Sequence, residues 1–214
     1  MIVPEPELIG PEDIVGVVLA GGLSRRMDGR EKSFVNVAGK PMLRHVLDRF
    51  TPQVEKVIIN ANGDAGRFAE YDYPVVADPI PDYAGPLAGI LAALDWAAAH
   101  HPDSQFVVSV AADAPFLPSN LVQQFLRVVA DLGPELLCAA SYGRTHPVVG
   151  LWPVHLRDEL RRAVVDKGIR KVDVWTMRYR LAYVEFNNDI GDPFFNVNRP
   201  DDLLEAERLL AMGL

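Results

Sequence analysis

The sequence has very little cysteine and no long apolar run. Cys138 is the only cysteine among 214 residues, so neither an internal disulfide nor a cysteine-based metal centre can form. It lies in an apolar stretch, which indicates a small buried side chain. No apolar segment reaches the roughly 20 residues that a membrane-spanning helix needs. The five histidines are scattered and do not show zinc-ligand spacing.

Positive charge is also in deficit. The formal net charge is −8, which argues against non-specific nucleic-acid binding because no basic surplus is available to neutralise a phosphate backbone. Residues 1–13 are acidic and proline-containing and lack the regions of a signal peptide. We therefore expect a flexible leader there and a cytoplasmic protein. Positions 14–214 are long enough for a single domain with one sizeable core.

The most informative segment is a glycine loop that follows an apolar strand. The run from Val17 to Met27 reads V-V-L-A-G-G-L-S-R-R-M, and Lys32 follows soon after. Glycines let successive backbone N–H groups approach phosphate oxygens, and the basic residues add positive charge. The loop matches neither G-x-G-x-x-G nor the Walker pattern, since Gly39-Lys40 is followed by Pro41. We predict a site for a nucleoside triphosphate.

Strand-like and helix-like segments alternate along the chain. Continuous apolar runs predict strands, and apolar residues at helical spacing predict helices. The alternation predicts an α/β fold, a three-layer αβα sandwich around a mostly parallel sheet. Ser119 is predicted to cap the helix that ends at Leu132. The predicted strands are 14–20, 56–61, 73–77, 106–111, 136–140, 148–152 and 181–185, and the other predicted helices are 41–50, 86–100, 155–165 and 200–211.

Polar residues follow several of the predicted strands. Because ligands bind beyond the carboxyl ends of strands in open α/β sheets, we expect segments 21–32, 60–62, 78–85 and 113–116 to surround one crevice. Asp113 follows a strand without another acidic residue and is placed to hold Mg²⁺ against phosphate oxygens. The alternative is an ordinary aspartate that caps a turn.

Two further segments invite a functional or a structural interpretation. The Asn60 amide offers a donor and an acceptor, which suits the edge of a base, whereas Asn62-Gly63 is more typical of a turn. Gly85 permits a sharp entry into a helix that begins at Pro86. The amino end of that helix would favour a phosphate, although helix initiation alone also explains the pair.

Taken together, these motifs resemble the molybdenum cofactor guanylyltransferases, which are GT-A-like nucleotidyltransferases with a Rossmann-like sheet. The resemblance extends from Val15 to Leu204. This chain departs from the family pattern at Asp28, Glu31 and Arg199, where glycine, aspartate and threonine are usual. The matching segments are the glycine loop with Lys32, G-P-L-A-G from Gly85, D-A-P-F-L-P from Asp113, H-P-V-V-G-L from His146 and N-V-N from Asn196.

The resemblance implies transfer of GMP from GTP to the terminal phosphate of molybdopterin, with release of pyrophosphate and with Mg²⁺ as cofactor. Molybdenum-insertion proteins and molybdoenzyme chaperones are implied as further partners. The catalytic residues would be Arg26, Lys32 and Asp113, with Asp113 as the metal ligand. Nucleotide contacts are implied for Leu19, Ala20, Gly21, Gly22, Lys32, Asn60, Asp78 and Asp113, and acceptor contacts for Gly85, His146, Asn196 and Asn198.

Three other interpretations remain open. A cytidylyltransferase for the same pterin resembles L-A-A-G at the first loop, whereas Gly21 fits the guanine branch because the missing Cβ leaves room at the base. A sugar-phosphate or polyol-phosphate nucleotidyltransferase is a more distant enzyme. A non-catalytic nucleotide-binding regulator on the same fold is suggested by the departures from the family pattern, and the intact Lys32 and Asp113 count against it.

Overall fold

The computed structural model describes residues 9–21, 31–80 and 85–214. Its strands are β1 (Ile14–Leu19), β2 (Asn36–Val37), β3 (Lys40–Pro41), β4 (Lys56–Asn60), β5 (Val75–Val76), β6 (Phe106–Ala111), β7 (Leu136–Ser141), β8 (Arg144–Pro153) and β9 (Leu181–Glu185). Its α-helices are α1 (Met42–Phe50), α2 (Pro86–His100), α3 (Leu121–Leu132), α4 (Arg157–Val165), α5 (Val172–Thr176) and α6 (Pro200–Ala211).

A mostly parallel sheet forms the centre of the described chain. Seven of the described strands lie in the order β5-β4-β1-β6-β8-β7-β9. The pairings of β1 with β4 and β6, of β4 with β5 and of β7 with β9 are parallel, whereas β8 is antiparallel to both of its neighbours. The apolar runs of β1 and β6 are buried, as is typical of central parallel strands. The predicted α/β fold is confirmed.

Helices cover both faces of the sheet. One apolar cluster joins α1 and α3 to one face, through side chains such as Leu43 and Phe125. A second joins α2 and α4 to the other face, through side chains such as Leu91 and Leu160. Alternate residues of β1 point into the two clusters, with Val18 in the first and Val17 in the second. The three-layer arrangement predicted from the alternation is therefore present.

The predicted cap of α3 is wrong. The helix begins at Leu121, so Asn120 and not Ser119 occupies the cap position, and the Asn120 side chain makes no capping hydrogen bond. Instead, Gln53 accepts the N–H of Val122 at 3.0 Å and donates to the carbonyl oxygens of Arg49 and Pro118 at 2.7 and 2.9 Å. The cap comes from a residue far away in the sequence, which a local capping pattern cannot reveal.

Strand β8 begins earlier than predicted, at Arg144 instead of Val148. It follows β7 through Tyr142-Gly143, both with positive φ, as a two-residue hairpin turn of type I′ requires. The register of its pairing with β7 shifts between neighbouring residues of β7: Cys138 pairs with Gly150, whereas Ala139 pairs with His146. Three residues of β8 therefore have no partner in β7. Pro147 lies in the extra residues, and proline cannot donate to a ladder. The resulting bulge lies in the middle of β8, beside the crevice, and bulges are common next to such sites.

Several short elements escaped prediction. Helix α5, the β2–β3 hairpin and 3₁₀ turns at Lys32–Phe34 and Ala65–Tyr71 are too short to give a clear periodic pattern. Within the described segments, no helix has the length and apolar character needed to cross a bilayer. Cys138 is buried as expected, and burial raises the pKa of its thiol to about 12.

Most of the predicted leader, residues 1–8, lies outside the described residues. Pro11–Asp13 forms a 3₁₀ turn next to β1. The Pro11 carbonyl accepts from the N–H of Glu55 at 3.1 Å, and the Asp13 carbonyl accepts from the N–H of Gln105 at 2.9 Å. These two bonds tie the turn to the chain just before β4 and β6.

Candidate active site

The carboxyl ends of the parallel strands open into a cavity of about 560 Å³. Segments that follow β1, β4, β5 and β6 all reach it, as predicted from their order along the chain. Another cavity, of about 580 Å³ and lined in part by residues 185–188, contains none of the predicted site residues. The predicted residues that line the first cavity are Leu19, Gly21, Asn60, Asp78, Gly85, Asp113, His146 and Asn196.

The strand order divides this cavity into two halves. Leu19, Asn60 and Asp78 follow or end strands on the β1–β4–β5 side, whereas the lining residues 144–149 belong to β8 on the opposite side of β6. Asp113 follows β6 and therefore lies between the halves. A molecule bound in each half would meet its neighbour at Asp113.

Lys32 and Asp113 form an ion pair at this boundary. The Lys32 Nζ lies 3.5 Å from Asp113 Oδ2 and donates to Asn198 Oδ1 at 2.5 Å. The N–H of Val197 donates to the Asp113 carbonyl at 3.0 Å. The glycine-loop exit, the end of β6 and the N-V-N segment are thus joined at one point, although they are distant in the sequence.

Burial dominates the electrostatics of Asp113. It raises the pKa of the carboxyl group, and the charge and hydrogen bond of Lys32 partly oppose that shift. A cation beside the carboxylate would offset the remaining cost of burying its charge. No group of three or more histidine, cysteine, aspartate or glutamate side chains that could hold a metal occurs in the part of the chain that the structure describes.

Asn60 and Asp78 form one hydrogen-bonded unit with Asn62. The Asn60 amide donates to Asp78 Oδ1 at 3.0 Å and to the Val76 carbonyl at 3.1 Å. Asn62 donates to Asp78 Oδ2 at 2.8 Å and accepts the Asp78 N–H at 2.9 Å. The turn interpretation of Asn62 therefore missed its bracing of Asp78. Because both amide hydrogens of Asn60 are used, only its carbonyl oxygen is left for a ligand.

Two glycines control the space around the Asn60 side chain. A Cβ at Gly21 would lie 3.8 Å from Asn60 Oδ1 and 3.9 Å from Asn62 Nδ2, so it would reach toward these amides without a clash. A Cβ at Gly89 would overlap the Asn60 side chain and lie 2.7 Å from Leu19 Cδ2. Gly89 thus permits the close approach of α2. The G-P-L-A-G pattern contained this glycine, but its purpose needed the packing.

Arg144 and His146 line the cavity from β8, and Phe194 and Asn196 of a later segment line it as well. Gly85 also lines the cavity, at the amino end of α2, with a φ of 82° that favours glycine. The His146 and Phe194 rings are 4.6 Å apart between centroids. Arg144 was not predicted, because an isolated arginine in a turn-rich segment gives no sequence signal.

Asp202 anchors the N-V-N segment in place of a hydroxyl cap. Its carboxylate accepts the N–H groups of Asn198 and Arg199 at 2.7 and 2.8 Å. Arg199 cannot cap as threonine would, and the bonds of Asp202 supply the other half of a capping box, in which the carboxylate binds N–H groups that precede the helix. Asp202 thus joins the N-V-N segment to the amino end of α6 through direct hydrogen bonds.

The remaining predicted residues of the glycine loop, Gly22 and Arg26, lie outside the described residues, as does Asp28. Glu31 is described, and its Oε2 lies 2.9 Å from Arg67 Nε. Arg67 also donates to the Asn62 carbonyl at 2.7 Å. Glu31, where the family usually has aspartate, is therefore connected through Arg67 to the turn at Asn62.

Comparisons with known proteins agree with this geometry. The family model described as the MobA-like NTP transferase domain matches residues 16–178 of the sequence. A molybdenum cofactor guanylyltransferase of Bradyrhizobium sp. is 52% identical over 199 residues, which cover 93% of this chain and 94% of that protein. The chain belongs to the molybdenum cofactor guanylyltransferase family. It is thus a nucleotidyltransferase.

Other relatives support the guanylyltransferase family assignment. One with the same name from Nitrobacter hamburgensis is 52% identical over 92% of this chain and 94% of its own. The crystal structure of molybdopterin-guanine dinucleotide biosynthesis protein A from Archaeoglobus fulgidus superposes with a TM-score of 0.73 at 26% identity, covering 93% of this chain and 99% of that one. The cytidylyltransferase alternative is not favoured.

Proposed function

We propose that this chain transfers GMP from GTP to the terminal phosphate of molybdopterin in the cavity at the carboxyl end of the sheet. The observation that carries the proposal is the division of that cavity into two halves that meet at Asp113 and Lys32. One half would hold the nucleotide and the other the acceptor, because a guanylyltransferase, as the relatives are named, joins two substrates.

The half formed by β1, β4 and β5 would bind GTP. Leu19, Ala20, Gly21 and Gly22 would supply the backbone that approaches the nucleotide. The Asn60 carbonyl and the Asp78 carboxylate are acceptors, which suits the N–H groups on the edge of guanine. The space in front of Gly21 supports this choice of base.

The half formed by β8 would bind molybdopterin. His146 lines the cavity from β8, and Gly85 and Asn196, which also line the cavity, would contact the acceptor. Asn198 would place the Lys32 ammonium between the two substrates. Arg144 adds positive charge on the same side, where an anionic phosphate must enter.

The reaction needs no protein nucleophile. An oxygen of the acceptor phosphate attacks the α-phosphorus of GTP, and the bond to the bridging oxygen of pyrophosphate breaks. The acceptor phosphate is already anionic near neutral pH, so the enzyme supplies positioning and charge neutralisation. Lys32, Arg26 and the backbone N–H groups of Gly21 and Gly22 would stabilise the negative charge on the leaving pyrophosphate.

Enzymes of this family generally use a divalent metal ion, and we propose Mg²⁺ with Asp113 as its protein ligand. Mg²⁺ is usually bound through one or two carboxylates together with substrate phosphates and water, so the single, partly exposed carboxylate of Asp113 fits it. When bound, the ion would neutralise phosphate charge. Molybdenum-insertion proteins and molybdoenzyme chaperones remain proposed partners, and the cytoplasm remains the proposed location.

The decisive experiment offers the protein molybdopterin with GTP, CTP or ATP and identifies the dinucleotide by mass spectrometry. We expect the guanine dinucleotide and pyrophosphate in equal amounts, and only with a divalent metal. Preferential formation of the cytosine dinucleotide would overturn the guanylyl assignment. Binding of GTP without any transfer would instead indicate the regulator.

A further inference from the structure

A partly buried hydrogen-bond chain links His146 to β7 and to the segment before Asn196. The Ser141 hydroxyl, at the end of β7, is fully buried. It lies 2.7 Å from His146 Nε2 and donates to Asp192 Oδ1 at 2.7 Å. Asp192 Oδ1 also accepts the N–H of Phe194 at 2.9 Å. Three segments of the chain are thereby held around one imidazole ring.

The number of hydrogens available in this series of hydrogen bonds determines the tautomer of His146. A hydroxyl has one hydrogen, and the Ser141 hydrogen is used in the bond to Asp192. The Ser141 oxygen must therefore accept from His146, so Nε2 carries the proton. In the neutral ring Nδ1 is then a hydrogen-bond acceptor. Burial lowers the pKa of His146, which favours the neutral ring near pH 7, although Asp192 opposes the shift.

His146 lies where the acceptor substrate would bind. It lines the cavity from β8, on the side of Asp113 away from Asn60 and Asp78. The bulge between Cys138 and Ala139 places His146 opposite Ala139. The ring also contacts Phe194, which supports it from one side. A residue held so firmly at the wall of a substrate cavity can read hydrogen-bond polarity.

We propose that His146 determines specificity for the acceptor by accepting, at Nδ1, a hydrogen bond from an N–H group of its pterin-type heterocycle. Ser141 and Asp192 are positioning residues that keep the proton on Nε2. This inference rests on the proposed function and names a contact for its acceptor. A site that accepts a hydrogen bond rejects analogues that lack the N–H, because its buried acceptor would be left unpaired.

Two substitutions of His146 separate this role from a structural one. His146→Asn keeps an amide oxygen near the position of Nδ1 but cannot reach Ser141. His146→Gln keeps an amide group near Nε2 but loses the acceptor at Nδ1. We expect the KM for molybdopterin to rise about tenfold in His146→Gln and distinctly less in His146→Asn. The kcat should change less than KM, and calorimetry should show unchanged GTP affinity in both variants.

Further variants supply the controls. Ser141→Ala should also raise the KM for molybdopterin, because the ring can then adopt the other tautomer. His45→Gln removes a half-buried histidine that bonds to the Val37 carbonyl and should leave this KM unchanged. Melting curves of all variants report any loss of folding.

The outcomes distinguish the inference from the proposed function. Equal KM values for molybdopterin in His146→Asn and His146→Gln would overturn the inference. The proposed function would still stand if the wild-type protein formed the guanine dinucleotide. A larger KM in His146→Asn than in His146→Gln would show that the bond to Ser141 is what matters and would also overturn it. A wild-type protein that makes no dinucleotide would overturn both.

Discussion

Gly21 is the residue at which base selection can be tested with the least disturbance of the fold. A Cβ there would meet Asn60 and Asn62 at ordinary contact distances, and the position does not require positive φ. We expect Gly21→Ala to weaken GTP binding about tenfold or more by filling the space for the base, with an unchanged melting temperature. Calorimetry with GTP and CTP measures the change. Unaltered GTP affinity would show that the base lies elsewhere.

Substitution of Asp113 is expected to affect activity and stability in opposite directions. Burial raises the pKa of the Asp113 carboxyl group, so the folded state binds the carboxyl proton more tightly than the unfolded chain does. As the pH rises above the ordinary pKa of an aspartate, ionisation of Asp113 therefore lowers the free energy of unfolding. Asp113→Asn removes the charge. We therefore expect an equal or higher melting temperature at pH 7 and a loss of dinucleotide formation of about a hundredfold or more.

The matched control for Asp113 is Asp131→Asn, an exposed carboxylate on α3. It should change neither turnover nor melting temperature. Wild-type-like turnover of Asp113→Asn would show that the carboxylate is only a turn residue. An unfolded Asp113→Asn would contradict the sign of the stability argument.

At the scale of elements, the approach of α2 to the sheet depends on Gly89. Alanine normally stabilises a helix interior by about 1 kcal/mol relative to glycine. Here a Cβ would overlap Asn60, so we expect Gly89→Ala to lower the free energy of unfolding by about 1–3 kcal/mol and to weaken GTP binding. Chemical denaturation and calorimetry test the two effects. A stabilised variant with normal GTP affinity would rule out the packing constraint.

The amino end of α3 depends on a distant side chain. Gln53 is buried and bonds to Arg49, Pro118 and Val122, so Gln53→Ala leaves buried polar groups unpaired. We expect a loss of about 1–3 kcal/mol in the free energy of unfolding, with KM for GTP unchanged. Gln123→Ala, at an exposed position of the same helix, is the control. Equal stability of the two variants would show that Gln53 does not act as the cap.

At the scale of the whole molecule, the leader can be divided by truncation. A variant that begins at Ile9 should keep the wild-type melting temperature, since residues 1–8 show no apolar periodicity. A variant that begins at Ile14 should melt a few degrees lower, because it loses the bonds of Pro11 and Asp13 to the segments before β4 and β6. Identical melting of the two variants would show that the turn contributes nothing.

The sequence by itself determined the α/β fold and the meeting of distant loops in one cavity. Apolar runs of strand length alternate with helical spacing, and parallel strands bring the segments after them to the same edge. Asn60, Asp78 and Asp113 could therefore be predicted to lie together without any distance in hand. Their chemical roles remain predictions, because position at an edge does not show what binds there.

Only the tertiary structure decided which side chains support one another. The capping of α3 by Gln53, the bracing of Asp78 by Asn62 and the chain from Asp192 through Ser141 to His146 join residues far apart in the sequence. The bulge that gives β8 its shape follows from its pairing with β7. Periodicity reports the surroundings of one segment, whereas hydrogen-bond partners and close packing depend on how several segments meet in space.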